Sequence, residues 1–269
     1  MDPAFHYPLQ RSWNYLVQTW ADPLFQAFPL TAALLSVLSF LAFALLYAIL
    51  DFFTPAFAAS RSIRKIKIDP GEQWKEGIRT LATNHALLPA GATVLWPLLR
   101  HSGIHDGPAP GIPIFALHIA FFLLLDDFLF YWVHRLLHVG VFYRKIHAKH
   151  HEHRDVSAVS AAYFHPAEYL LLTLSTLAGP ILLGTHVYCL YAWVILRQWI
   201  AAESHCGYYL PWNPLNRLPF YRGPGFHGLH HEKPGVNFGM FFPYMDRLLG
   251  TDGKSRARNL LWTAGKTLK

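Results

Sequence analysis

The sequence has few charged residues and almost no cysteine, and both shortages restrict what the protein can be. Asp, Glu, Lys and Arg make up 14% of the 269 residues, whereas an average soluble domain has about 25%. Hydrophobic residues make up 53%, and this balance indicates contact with lipid. The only cysteines, Cys189 and Cys206, are too few for a disulfide framework, a CxxC redox motif or a thiolate metal site.

Several motifs of common enzyme and binding classes are also missing. The sequence has no HExxH zinc motif, no CxxCH haem-attachment motif and no GxGxxG motif after a predicted strand. No stretch alternates base-stacking aromatics with phosphate-binding cations, so nucleic acid is not a predicted partner. The net charge of +7 is better explained by Lys and Arg beside a bilayer.

Four apolar segments predict a helical membrane protein. Residues 30–53 are about long enough to cross the hydrocarbon core, and the basic run that follows, 60–67, predicts that this end faces the cytosol. Residues 86–99 form a shorter run interrupted by prolines and a glycine. Residues 112–133 are long enough to cross the membrane and return the chain to the cytosolic side. Residues 169–200 are split by glycines, which favours a hairpin over one long crossing.

Ten histidines in the second half of the chain have the spacing of metal ligands. Three boxes carry most of the signal: HxxxH at 134–138, and HxxHH at both 147–151 and 227–231. On a helix, residues three and four apart share a face, so the members of a box can point at one ion. The predicted ligands are His134, His138, His147, His150, His151, His165, His205, His227, His230 and His231.

The number of clustered imidazoles predicts two metal ions rather than one. Eight histidines in the three boxes exceed the four positions of a tetrahedral site, and His165 and His205 stand between the second box and the third. Asp127 falls on the same helical stripe as His134 and His138, so its carboxylate is a candidate to orient a ligand imidazole. Five of the other seven histidines, at 85, 101, 105, 118 and 186, are interpreted as structural.

These observations predict an all-α integral membrane protein with about four spans, or two hairpins, and a cytosolic histidine-rich helical cap that holds a di-metal site. The predicted organisation is an N-terminal segment over 1–29, membrane helices over 30–133, a catalytic region over 134–253 that contains the second hairpin, and a basic tail over 254–269. An even number of crossings between the boxes would leave every histidine on one face of the bilayer. A single site requires that arrangement.

The three boxes resemble the fatty acid hydroxylase/sterol desaturase superfamily, and within it the sequence is most similar to the methylsterol monooxygenases. The resemblance covers roughly residues 60–253. The matching stretches are 127–138, 147–152, 163–168, 203–208, 226–231, 237–239 and 245–252, with 65–68 and 84–85 upstream. One departure is Gly228, because the third box of the family often has an acid at that place.

The resemblance implies an iron-dependent, oxygen-consuming enzyme that oxidises a 4-methyl group of a sterol to alcohol, aldehyde and carboxylate. It implies two iron ions, with zinc as an alternative in purified protein, and electrons from NAD(P)H through a reductase and cytochrome b5. Basic residues at 135, 144, 145, 149 and 154 are candidates to dock an acidic donor. The implied location is the endoplasmic reticulum, or the inner membrane in a bacterium, with the metal site on the cytosolic side.

Two other functions are kept as hypotheses. A sterol desaturase, or a hydroxylase of fatty acyl or other lipids, would share the boxes and differ in the substrate pocket. A metal transporter or storage protein would place its ligands inside the spans. Because the boxes lie in polar, cationic segments at the ends of the spans, the sequence favours the enzyme.

Overall fold

The described residues form helices joined by short connections, with no β-strand among them. A computed structural model describes residues 8–53, 62–63 and 69–253. Its helices are α1 (Pro8–Ala21), α2 (Pro23–Phe53), α3 (Pro70–Leu99), α4 (Ile112–Leu137), α5 (Gly140–Lys145), α6 (Pro166–Leu183), α7 (Val187–Ser204), α8 (Pro224–Glu232) and α9 (Tyr244–Leu248). Tighter 3-10 turns cover His147–Glu152, Ala158–Ala162 and Pro214–Arg217. The predicted all-α class is confirmed.

Three of these helices, α2, α4 and α6, are long and apolar enough to cross a membrane. Fewer than a third of the residues in their most apolar stretches are buried against the rest of the chain, and large side chains such as Leu38, Leu117 and Leu170 are more than half exposed. Apolar surface of this extent indicates contact with lipid. The protein is therefore a membrane protein, and the expected total of about four spans stays a prediction.

The apolar stretch over 169–200 consists of two helices, α6 and α7, joined by a tight turn. Gly184 ends α6 with a φ of +51°, a left-handed conformation that favours glycine. Pro180 lies inside α6 rather than at the turn. The turn returns the chain, so that Phe164 before α6 and His205 after α7 both contact His150.

The helices pack in pairs through small and aromatic residues. α2 packs along α7, and α4 packs along α6. Phe40 and Ala44 of α2, Leu81 of α3 and Ala202 of α7 belong to one buried cluster. Fully buried alanines at such contacts let helix backbones approach closely, which favours association inside a bilayer.

A buried ion pair fixes α4 to α7. The Arg197 side chain donates to Asp126 at 2.8 Å, and both side chains are less than a tenth exposed. The Arg197 guanidinium also lies over the ring of Phe130, 5.5 Å from its centroid. Because removing either partner would leave a buried charge unpaired, this contact holds the two helices in one register.

Candidate metal centre

Nine of the ten predicted ligands gather into two groups at the ends of the helices. The five-histidine group contains His134, His138, His147, His151 and His230. The four-histidine group contains His150, His205, His227 and His231. Within each group the potential ligand atoms lie within 4.8 Å of one another, and every ring except the half-buried His138 is buried. Separate parts of the chain thus converge on one place, as a metal site requires.

Each HxxHH box supplies both groups. The second box sends His147 and His151 to the five-histidine group and His150 to the four-histidine group. The third box reverses this division, because its first and last histidines join the four-histidine group and its middle one, His230, joins the other. The two groups adjoin, with the rings of His151 and His231 4.7 Å apart. The sequence predicts that the histidines of each box share one side, whereas the structure divides each HxxHH box between the two groups.

Acceptors outside the five-histidine group fix the orientation of three of its rings. Nδ1 of His134 donates to the Phe238 carbonyl at 2.8 Å, and Nδ1 of His230 donates to the Val236 carbonyl at 2.7 Å. Nδ1 of His147 lies 2.7 Å from a carboxyl oxygen of Glu168. A carbonyl oxygen can only accept, so the protons of neutral His134 and His230 are on Nδ1. Each Nε2 therefore carries a free lone pair that points into the group.

The inward nitrogens of the five-histidine group lie close together. Nε2 of His134 is 3.1 Å from Nε2 of His147 and 3.3 Å from that of His138. Nε2 of His230 is 3.2 Å from that of His151 and 3.0 Å from that of His138. Facing lone pairs repel one another unless a cation lies between them. This arrangement fits a bound metal ion.

The four-histidine group repeats this pattern around His205. Its Nε2 lies 3.0 Å from Nε2 of His227, and 3.3 Å from those of His150 and His231. The Nδ1 of His205 is 3.0 Å from the Ala201 carbonyl. The Nδ1 of His231 is 3.1 Å from the carbonyl of residue 153. The lone pairs of His205 and His231 thus also face one another.

The separations within both groups fit transition-metal ligation. Nitrogens bound at about 2.0–2.1 Å from one ion lie about 2.9–3.4 Å apart in tetrahedral or octahedral geometry, and the inward contacts fall in that range. Neutral imidazole is a ligand for iron, zinc and copper alike, so ligand type does not select the metal. The histidines can hold two ions, one in each group.

Burial keeps these imidazoles neutral and ready to bind a cation. Burial, followed by repulsion from neighbouring imidazoles, lowers the pKa of His151 to about 3. The pKa of His205 is also lowered to about 3, mainly by burial. Burial lowers the pKa values of His150, His227, His230 and His231 well below the ordinary value. At neutral pH each of these rings is therefore neutral, and one of its two nitrogens carries a lone pair that can bind a cation.

Asp127 supports the centre through a loop rather than through a ring. Its Oδ1 accepts hydrogen bonds from the backbone amides of Phe241, at 2.8 Å, and Phe242, at 3.2 Å. The same loop carries the Phe238 carbonyl that accepts from His134. The expectation that Asp127 orients an imidazole directly is therefore replaced by a more distant role, because its carboxylate already binds backbone amides.

Sequence reasoning missed two carboxylates that support the centre. Glu168, in the first turn of α6, contacts His147. Asp246, in α9, accepts from the amides of Phe238 and Gly239, both at 2.8 Å. Acids are scarce in this sequence, so the position of an acid next to an apolar segment could have marked it as a candidate to support the centre. Which imidazole it would meet depends on tertiary structure.

His165 lies outside both groups. It precedes α6 as the N-cap residue, and its Nδ1 accepts from the Ala167 amide at 3.1 Å. A capping histidine satisfies a free amide of the first helical turn, and this contact turns one ring nitrogen away from the centre. The structure thus brings nine predicted ligands together and assigns the tenth to the helix end.

The histidines interpreted as structural contact other parts of the fold. His85 lies 3.0 Å from the Tyr169 hydroxyl, His118 lies 2.7 Å from the Thr185 hydroxyl, and the rings of His105 and His186 meet at 5.4 Å. Among the described residues, the nearest atom that a Cβ at Gly228 would meet is the Cδ1 of Ile63, at 3.9 Å.

Comparison with known proteins places the chain in a family. The fatty acid hydroxylase family model matches residues 119–251, the segment that contains both groups. Methylsterol monooxygenase 2-2 of Arabidopsis thaliana is 33% identical over 94% of this chain and 95% of its own length. The chain belongs to the fatty acid hydroxylase family. Methylsterol monooxygenase 2-1 of the same plant is 32% identical over 91% of the chain and 94% of its own length.

Other relatives carry different names. The very-long-chain aldehyde decarbonylase GL1-11 of Oryza sativa subsp. indica is 40% identical over 58% of this chain and 60% of its own length. No solved structure matches the chain. The family and its monooxygenase members identify the protein as an oxygen-dependent oxidoreductase of lipid metabolism.

Proposed function

We propose that the protein is a membrane-bound monooxygenase that uses two iron ions and dioxygen to oxidise a 4-methyl group of a sterol through alcohol and aldehyde to carboxylate. The Nε2 lone pairs of His205 and His231 face each other, with the two nitrogens 3.3 Å apart. This observation carries the proposal, because a bound cation would relieve their repulsion. The near full-length match to methylsterol monooxygenases supports the substrate class.

The chain contributes ligands, orientation and an apolar surrounding. When bound, two iron ions supply the activation of dioxygen and the oxidation of an unactivated C–H bond. The ten predicted ligands are reduced to nine, with His165 acting as a helix cap. Carbonyls and Glu168 hold the rings so that their Nε2 atoms face inward. These contacts orient three of the rings before a metal binds.

An apolar cluster beside both groups supports a lipid substrate. The ring of Phe130 lies 5.0 Å from that of His134 in the five-histidine group. The ring of Phe164 lies 4.6 Å from that of His150 in the four-histidine group. The cluster continues through Leu172, Ile200, Leu215, Met240 and Phe241. Apolar packing of this kind excludes water beside the metal ions, which favours the oxidation of an apolar group.

A long-chain aldehyde is the alternative substrate. The rice relatives named very-long-chain aldehyde decarbonylases have higher identity, 40%, over a shorter part of the chain. The greater coverage of the methylsterol monooxygenases favours the sterol. Sterol desaturation and fatty acyl hydroxylation would use the same centre, so product analysis distinguishes all of these reactions.

An acidic electron carrier of the cytochrome b5 type, served by an NAD(P)H reductase, is the proposed electron donor. Arg144, Lys145 and Arg154 are exposed near the second box and are available to an acidic partner. Arg135 and Lys149 are half-buried against Tyr131 and Tyr163. The proposed location is the endoplasmic reticulum in a eukaryote, or the inner membrane in a bacterium, with the histidines on the cytosolic side. The basic segments 64–68 and 254–269 lie outside the described residues.

The decisive experiment combines metal quantification with product analysis. Protein purified anaerobically from membranes should contain two irons per chain and should consume oxygen with a reductant and a 4,4-dimethylsterol, yielding oxidised sterol. Parallel incubations with a long-chain aldehyde and a fatty acyl lipid test the alternatives. Iron-loaded protein that consumes no oxygen with any of these substrates would contradict the proposal and favour a metal-handling protein.

A further inference from the structure

One face of α3 runs along the segment that connects the second histidine box to α6. The face consists of Gln73, Glu76, Gly77, Leu81 and Asn84, which share one side of the helix by their spacing. α3 packs against the 3-10 turn Ala158–Ala162 in that segment. This helix lies before the region matched by the family model, which begins at residue 119.

Polar contacts fix α3 to both ends of the connecting segment. Glu76 Oε2 lies 3.0 Å from Nε2 of His153. Gln73 donates to the carbonyl of residue 155 at 3.0 Å and accepts from the Ser157 hydroxyl at 2.6 Å. Farther along the helix, Asn84 donates to the carbonyl of residue 164 at 3.3 Å. The segment is thus held at its start and at its end.

Gly77 lets the helix approach the segment at backbone distance. A Cβ at this position would lie 2.7 Å from Val159 Cγ2 and 2.9 Å from the Val159 carbonyl oxygen. Ala158, Ala161 and Ala162 are buried beside it and pack in one cluster with Leu81. Any side chain at position 77 therefore displaces the segment or the helix.

The clamped segment supports two members of the four-histidine group. The carbonyl of His153 accepts from Nδ1 of His231 at 3.1 Å. The ring of Phe164 packs against that of His150 at 4.6 Å. The support of the five-histidine group comes from Glu168 and the loop around Phe238 instead. The contacts of α3 thus support the four-histidine group.

We propose that α3 is a positioning element for the ion in the four-histidine group. Through Glu76, Gln73 and Gly77 it fixes the backbone at His153, and this backbone fixes the tautomer and orientation of His231. Outer partners of this kind change metal affinity by about 10–100-fold. The inference rests on the proposed two-metal centre and adds that residues outside the histidine boxes distinguish its two ions.

The test is anaerobic titration of the metal-free, full-length protein in detergent with Fe²⁺, with Co²⁺ absorption as a second probe of each site. Glu76→Leu should weaken one of the two ions by about tenfold and change the other less than twofold. Glu76→Gln should restore binding, because its amide oxygen can accept from the ring of His153. Lys75→Gln is the matched control, since the Lys75 side chain is 76% exposed and faces Glu72.

A second pair of variants assigns the weakened ion. Gly77→Val should weaken the same ion as Glu76→Leu does. If Gly77→Val does not accumulate in membranes, the Glu76 variants still test the inference. In a His205→Ala background, which removes the four-histidine ion, Glu76→Leu should leave the remaining ion unchanged. Equal weakening of both ions, or no weakening, would overturn the inference. Wild-type protein that binds fewer than two ions would instead overturn the proposed centre.

Discussion

The five-histidine and four-histidine groups resemble each other in their inward nitrogens and differ in what holds the rings from outside. In the five-histidine group, a carboxylate, Glu168, and two backbone carbonyls accept from the outer nitrogens. In the four-histidine group the outer partners identified among the described residues are two backbone carbonyls, one of them within α7 itself, and the Ser204 hydroxyl. Because a carboxylate partner raises the basicity of an imidazole, the imidazoles of the two groups should differ in how strongly they bind a metal ion.

The two groups also depend on different parts of the chain. The outer supports of the five-histidine group come from α6 and from the loop that Asp127 and Asp246 hold. Those of the four-histidine group come from α7 and from the segment clamped by α3. Damage to one set of supports should therefore affect one ion more than the other. This separation makes the comparison testable.

The largest effects are expected from removing a ligand in each group. His150→Ala removes an imidazole from the four-histidine group, and His230→Ala removes one from the five-histidine group. Each should lower turnover by more than about 100-fold, because even outer partners of a metal ligand cost 10–100-fold. Each should also reduce bound iron from two per chain toward one while the protein still inserts in the membrane. Turnover at the wild-type level would show that the residue is not a ligand.

The control for these substitutions is His118→Ala. His118 contacts the Thr185 hydroxyl at 2.7 Å and belongs to neither group. Its loss removes one partly buried hydrogen bond, worth about 1 kcal/mol, and should leave bound iron unchanged. A loss of iron in this variant would show that general destabilisation, rather than ligand removal, explains the effect of the other two.

A smaller effect is expected at Glu168, whose carboxyl group contacts His147 of the five-histidine group. Glu168→Gln keeps a hydrogen-bond acceptor for His147 but removes the charge, so the ion of the five-histidine group should bind about tenfold more weakly. Glu168→Ala should weaken it further. The measurement is Fe²⁺ titration of the metal-free protein, with the exposed Asp106→Asn as control. Equal weakening of the two ions would show that Glu168 does not distinguish the two groups.

A still smaller effect is expected at Asp246, one step farther from the metal. Its carboxylate accepts from the amides of Phe238 and Gly239 and from the Thr251 hydroxyl. Asp246→Asn leaves one acceptor oxygen for these donors and should cost about 1–3 kcal/mol of stability. Its unfolding midpoint should fall, and the five-histidine ion should weaken by a few-fold. Asp252→Asn, at a partly exposed carboxylate, should change stability by less than about 1 kcal/mol.

The sequence predicted which histidines form the centre better than it predicted how they divide between the two groups. The spacing of His134 and His138 follows from helix periodicity, and α4 extends to Leu137 as that spacing requires. The return of the chain between His165 and His205 follows from apolar length and glycine position. These are local rules, and the all-α fold and convergence of nine histidines agree with them.

The outer partners could not be predicted because they depend on long-range packing. His134 meets a carbonyl more than one hundred residues away, at Phe238, and Asp127 meets amides at a similar distance in sequence. His165 has the same residue type as the ligands, but a proline follows it and its ring caps α6. Sequence spacing identifies candidate ligands, whereas tertiary contacts decide which nitrogen faces inward.

Acidification should produce the smallest difference between the groups, because burial acts on both in the same direction. The pKa values of His151 and His205, one from each group, are about 3 in the folded chain and about 6.5 when unfolded. The unfolded chain therefore binds protons first as the pH falls. The contribution of these two histidines to the stability of the metal-free protein should be constant above about pH 7 and should decrease below about 6.5, by up to about 1.4 kcal/mol per pH unit for each histidine. His151→Gln and His205→Gln should each reduce this slope by a similar amount in thermal unfolding. A slope that only one substitution reduced would show that protonation, like the outer supports, distinguishes the two groups.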